Sequence, residues 1–196
     1  MKPTDLFPGG YYSSEELRAA GIGAVGENVR FHRTLNVFRL EHIFVGSNVV
    51  IDAYTSLIAS GEIRIGSNVH IGSYCHLSGG EGIELMDFCG VSQGTRIYSR
   101  SDDFTGQALT GPTLPSRFRK IEAGRVILER HVIVGANSVI LPHVTIGEGS
   151  AIGALSLVNR SLPSWGVFAG VPTRKIKDRS RQLLDLEAAY RNDFKS

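Results

Sequence analysis

The sequence predicts an all-β fold, a parallel β-helix of triangular cross-section, on three observations. From 128 to 158 an aliphatic residue stands at every sixth position: Leu128, Val134, Ile140, Ile146, Ile152 and Val158. Four residues after each of the first five comes a small or β-branched one: Val132, Ser138, Val144, Ser150 and Ser156. Upstream the beat lengthens to 20 residues, with GENV at 26–29, GSNV at 46–49 and 66–69, and MDFC at 86–89. A period of six matches neither a helix nor an alternating strand. Three such segments close one triangular coil, and successive coils stack as parallel strands around an aliphatic interior.

In chain order, residues 1–22 form an N-terminal segment with a short helix. Ser13-Ser14-Glu15-Glu16 reads as a capping box, and Gly21 closes the helix. Residues 23–178 form the β-helix. Its interior columns are Val25, Val45, Ile65, Leu85; Phe31, Ile51, Ile71, Val91; and Val37, Leu57, Leu77, Ile97, with Ile43, Ile63 and Ile83 two residues before the coil start. Glycine, following the aliphatic at 135, 147 and 153, eases the corner. The columns place Cys89 under Val29, Val49 and Val69, and Cys75 between Thr55 and Thr95. The two thiols thus fall on different faces, as small buried hydrophobes and not a disulfide. Residues 99–124 carry no hexad signal and hold Gly106, Gly111, Pro112 and Pro115, so a long loop leaves the prism there. Residues 179–196 form a C-terminal helix, capped by Ser180 and packed back through Leu183, Leu184, Leu186 and Tyr190.

The 196 residues suit one large domain, and 42% hydrophobic with 20% charged residues is ordinary for a soluble protein. A net charge of +2 gives no argument for nucleic acid. No apolar run approaches the ~20 residues of a membrane span, and MKPTDLFPGG lacks the apolar core of a secretory signal. The expectation is a cytoplasmic protein.

The hexads and the segment GVFAGVPTRKIKDR resemble the hexapeptide-repeat acyltransferases over residues 23 to 180. The stretch 126–178 is most similar to galactoside and maltose O-acetyltransferases and to bacterial surface-polysaccharide sugar acetyltransferases. The resemblance implies a left-handed helix, a homotrimer with one active site in each cleft between prisms, and acetyl-CoA as donor, with no metal. It sets the backbone at Ala136 and Ala154 against the pantetheine arm. Asn159 and Arg160 stand where the family commonly has Thr-Lys beside the cofactor, and Arg174 and Lys177 where cations meet CoA phosphates.

The family's catalytic His follows the strand that opens the long loop. Here that stretch reads YSRSDD, which sets Asp102 opposite that His, and Ile133 replaces a Trp that often lines the cleft. Transfer to a sugar hydroxyl needs a base, whereas a sugar amine needs less help. Three residues are candidates for that base. His76, expected at a corner and pointing outward, could be oriented by Asp102 or Asp103, Asp102 itself could accept the proton once desolvated, and His131 could face a neighbouring subunit's site.

The reading is acetyl transfer to a sugar or sugar nucleotide, as O-acetylation in O-antigen or capsule biosynthesis. N-acetylation of an amino-sugar nucleotide is one alternative, and a non-catalytic trimeric scaffold is another. A zinc hydratase would need a third partner for His70 and His76, which stand one hexad apart, and none is evident.

Overall fold

A computed structural model describes residues 10 to 193. The first nine and last three residues of the sequence, which include the start of the N-terminal segment and the end of the C-terminal one, lie outside the described residues.

The architecture is the left-handed parallel β-helix, in which each coil lays one short strand on each of three sides. Side I stacks Ala24–Val25, Ile43–Val45, Ile63–Ile65, Ile83–Leu85, Val126–Leu128 and Thr145–Ile146. Side II stacks Val29–His32, Val49–Ile51, His70–Ile71, Gly90–Val91, Ile133–Val134, Ala151–Ile152 and Gly166–Ala169. Side III stacks Asn36–Phe38, Ser56–Ile58, His76–Ser78, Arg96–Tyr98, Val139–Ile140 and Leu157–Val158. Side II alone is extended at both edges by antiparallel strands, Tyr11–Tyr12 and Arg174–Asp178, which cover edges that would otherwise invite pairing.

The registers follow the sequence columns. Val45 pairs with Val25 and Ile65, Ile71 with Ile51 and Val91, and Leu77 with Leu57 and Ile97. These side chains make one continuous core, most of it fully buried. Cys75 and Cys89 belong to that core as free thiols. Burial pushes them up to about 11 and about 12 respectively.

Three features depart from the sequence reading. First, the left-handed backbone at the corners falls mostly on non-glycine residues, such as Tyr54, Tyr74, Asn137 and Leu155, with Gly94 and Gly149 as exceptions. Gly135 serves a different need, because a Cβ there would lie 2.5 Å from the Ala154 nitrogen of the next coil. Second, the loop 99–124 is not structureless: Arg100–Asp102 and Ile121–Ala123 pair as an antiparallel hairpin at its base. Third, His76 is the first residue of a side III strand, not a corner residue.

Helix α1 (Ser14–Ala19) has both halves of its capping box: Ser13 Oγ accepts from the Glu16 amide, and Glu16 accepts from the Ser13 amide. Gly21 (φ 90°) ends it. Helix α2 (Leu183–Asp193) lies over the corner between sides I and II. There Asn28, Asn48 and Asn68 form a ladder of side-chain amides, and the Tyr190 hydroxyl donates to Asn68 at its foot. Phe88, in the same column, meets Tyr190 edge to face. No helix among the described residues is long and apolar enough to cross a membrane, which leaves β-barrels unaddressed.

Candidate active site

The corner between sides II and III forms a column running the length of the helix. It descends through Asp52-Ala53, Gly72-Ser73 and Ser92-Gln93 to Gly135-Ala136 and Gly153-Ala154, because each of these pairs ends a side II strand. Ala136 and Ala154, expected beside the donor, therefore stand in line with Ser92 and Gln93. Beside that column is a cavity of about 220 Å³ lined by Asp52, His70, Ser73, Gly90, Ser92 and Ile133, among others. Gly90 is the register partner of both His70 and Ile133. Its missing side chain leaves the floor between them open.

Within this cavity His70 Nε2 lies 2.8 Å from Asp52 Oδ2. The other oxygen of Asp52 accepts a hydrogen bond from the Tyr11 hydroxyl at 3.0 Å. Burial, and then the neighbouring Asp52 carboxylate, hold the Tyr11 phenol above its usual value, so it remains a donor.

The corner between sides III and I carries the hairpin. A larger cavity of about 690 Å³ opens there, lined by Tyr98, Ser101, Asp102, Phe104, Glu122 and Asn159, among others. Asp102 lies 3.8 Å from Arg119. Asp103 is engaged in its own turn, accepting from the Thr105 hydroxyl and the amides of Thr105, Gln107 and Ala108. Led by the Thr105 hydroxyl, these contacts hold its carboxyl down at about 2. No residue lines both cavities.

The candidate residues thus fall into separate places. Asp102 and Asn159 share the larger cavity. Arg160 follows Asn159, exposed at the same corner. Arg174 and Lys177 lie on the antiparallel strand closing the C-terminal edge of side II, opposite Ala169 and Val167. His76 lines neither cavity; it is half-buried on side III against the Tyr98 ring. Burial, then the Arg96 charge, lower its pKa, and neither Asp102 nor Asp103 is its partner among the described residues.

His131 departs furthest from expectation. It is 8% exposed, stacked on Phe88, with Nε2 2.7 Å from Glu187 Oε2 of α2. Arg130 and Arg191 share the same carboxylate. The structure makes His131 part of the seat of α2, because the helix covers the face that was expected to meet a neighbour. His70 is not among the three candidate bases, because it lies on a different side from the long loop and nothing in the repeat pairs it with Asp52. Among the described residues no group of three or more His, Cys, Asp or Glu side chains is placed to hold a metal ion.

Comparison with known proteins gives a consistent picture. The family described as bacterial transferase hexapeptide (six repeats) matches residues 125–160. A dTDP-4-amino-4,6-dideoxy-D-glucose acyltransferase of Escherichia coli is 34% identical over 182 residues, 92% of this chain and 95% of its own. AntD, an N-acyltransferase from Bacillus cereus solved with dTDP and 3-hydroxybutyryl-CoA, is 44% identical. It superposes with a TM-score of 0.92 over 95% of this chain and 99% of its own. Other solved forms of AntD are variants of one serine and one aspartate ten residues apart, two of them bound to dTDP-4-amino-4,6-dideoxyglucose and Coenzyme A. A maltose O-acetyltransferase from Clostridium difficile shares the fold, at 22% identity and a TM-score of 0.57 over 85% of this chain and 74% of its own. With 34% identity to a sugar acyltransferase over nearly the whole of both chains and a matching coil architecture, the chain belongs to the hexapeptide-repeat acyltransferases and is itself an acyltransferase acting on a sugar.

Proposed function

We propose that the protein transfers an acyl group from acyl-CoA to the amino group of a dTDP-linked amino-deoxy sugar. The observation that carries this reading is a spacing. Ser92 and Asp102 are the one Ser–Asp pair ten residues apart in this sequence, as are the two positions varied in AntD. Each lines one of the two cavities.

O-transfer, expected from the sequence, gives way to N-transfer. The relatives that match nearly the whole chain act on amino sugars or are N-acyltransferases, whereas the O-acetyltransferase likeness is a stretch of 69 residues at 38% identity in one relative and the fold alone in another. The chemistry agrees. A neutral amine attacks a thioester without prior deprotonation, which suits a loop that has Asp102 where the O-acetyltransferases place a His.

In this reading the donor lies along the II–III corner from the C-terminal coils, its pantetheine on the Ala154–Ala136 backbone and its phosphates toward Arg174 and Lys177. The acceptor enters from the N-terminal coils of the same corner, where Tyr54 and Tyr74 stack with centroids 5.1 Å apart and both exposed. They offer a flat platform for a pyrimidine. Ser92 presents a hydroxyl to the thioester carbonyl. Asp102 sits at the opposite edge of side III, so it reaches this cavity from a neighbouring subunit of a trimer, as do Asn159 and Arg160. There its carboxylate orients the amine.

Thiol release from acetyl-CoA and from 3-hydroxybutyryl-CoA, followed with dTDP-4-amino-4,6-dideoxyglucose and with its 4-hydroxy counterpart, tests the proposal. Turnover is expected with the amine and not with the alcohol. The reverse pattern would refute it.

A further inference from the structure

We infer that His70, aligned by Asp52, takes the proton released when the acceptor amine attacks the thioester. The inference rests on the amine-acylating reading above and adds to it a proton acceptor at the acceptor cavity itself.

The geometry supports a working base over a casual surface pair. Asp52 is held from two sides: its Oδ1 by the Tyr11 hydroxyl at 3.0 Å, its Oδ2 by His70 Nε2 at 2.8 Å. Its side chain is 26% exposed while that of His70 is 62% exposed. The carboxylate is thus the fixed, sheltered member and the imidazole the accessible one. Donation of Nε2–H to Asp52 leaves Nδ1 as the basic lone pair, and among the described residues it has no hydrogen-bond partner. The ring lines the 220 Å³ cavity with Ser92 and Gln93, at the upstream end of the column that holds Ala136 and Ala154. Gly90, the register partner of His70 one strand further along, brings no side chain to the cavity beside the ring. Tyr11 comes from an antiparallel edge strand outside the coil repeat. The pair is therefore held by an element additional to what the helix needs for closure.

The step balances without any further reactant. The amine nitrogen forms a bond to the thioester carbonyl carbon and becomes an ammonium in the tetrahedral adduct. His70 Nδ1 receives one proton from that nitrogen. The C–S bond then breaks, the electron pair leaves with sulfur, and the imidazolium returns the proton to the thiolate. The products are the amide and free coenzyme A. Asp52 is a positioning residue: it fixes the tautomer and stabilises the imidazolium without itself taking the proton.

The test uses the full chain, with acetyl-CoA, 3-hydroxybutyryl-CoA and dTDP-4-amino-4,6-dideoxyglucose as probes. His70→Gln is expected to lower kcat by about 100-fold or more, with coenzyme A affinity and KM for the sugar within about twofold of the parent. Asp52→Asn is expected to lower kcat by about tenfold with the same unchanged affinities. His70→Ala should regain turnover as free imidazole is added, a rescue that a purely structural histidine would not show. Parental kcat in His70→Gln, or a loss of activity accompanied by lost coenzyme A binding and no imidazole rescue, overturns the inference while amine acylation by the parent stands. Should the parent itself fail to acylate the amino sugar, the underlying reading falls and the inference with it.

Discussion

Residues of one chemical type do different work in this molecule according to which way they point. Cys75 and Cys89 point inward, and each sulfur donates only to backbone carbonyls, Cys75 to Ser92 and Cys89 to Leu128 and Glu129. With burial holding them near 11 and 12, the thiolate is scarce at neutral pH. Ellman's reagent should therefore leave the native protein unmodified and titrate both thiols in denaturant. Among the histidines, His131 is spent on packing, while His70, a step outside the core, faces an open cavity. The interior residues were legible in the sequence because burial imposes a period on them. Some outward residues keep the beat, as the Asn28–Asn48–Asn68 ladder does, but the meeting of His70 with Asp52, 18 positions apart, and of His131 with Glu187 across 56 positions, falls outside it and left no mark in the pattern.

At the scale of elements, α2 behaves as a latch on the I–II corner. Burial opposes the charge of Glu187, but hydrogen bonds from Arg191 and His131 and the nearby charges of Arg130 and His131 outweigh it. The net effect puts its carboxyl below the ordinary value of 4.5. A carboxyl whose folded value is depressed stabilises fully above its unfolded value and loses that contribution as pH falls through the folded one. Docking of α2 should therefore weaken in acid below about pH 4.5, read as faster amide exchange across 183–193. Glu187→Gln strands two arginines and His131 without their shared anion, and should lower the opening free energy of α2 by about 3 kcal/mol at neutral pH. The helix itself was legible in the sequence, but its seat was not: Leu184, Leu186 and Tyr190, expected to pack it back, are exposed, and the residue it buries is Glu187. In the same way the loop 99–124 is legible as a break in the hexads while its hairpin is not: Arg100-Ser101-Asp102 is wholly polar, and Ile121-Glu122-Ala123 is too short for its alternation to mark a strand.

For the whole molecule, the two cavities lie at opposite edges of side III, and the proposed site draws on both, so it is complete only between subunits. This predicts complementation. Ser92→Ala and Asp102→Asn proteins should each be impaired alone and sediment as trimers. After random reassembly in equal amounts, about a quarter of the clefts should pair an intact corner with an intact hairpin, and activity should return to that extent. Mixed subunits that remain inert would place both residues in one protomer's site. The unvarying registry of the coils has one more consequence. Because neighbouring turns sit about 4.8 Å apart and a turn gained or lost whole leaves every side chain facing the same way, the gap between the proposed nucleotide platform and the strand proposed to meet the donor phosphates is graduated like a ruler. Substrates of different reach are then matched by the number of graduations, and intermediate lengths have no way to be measured.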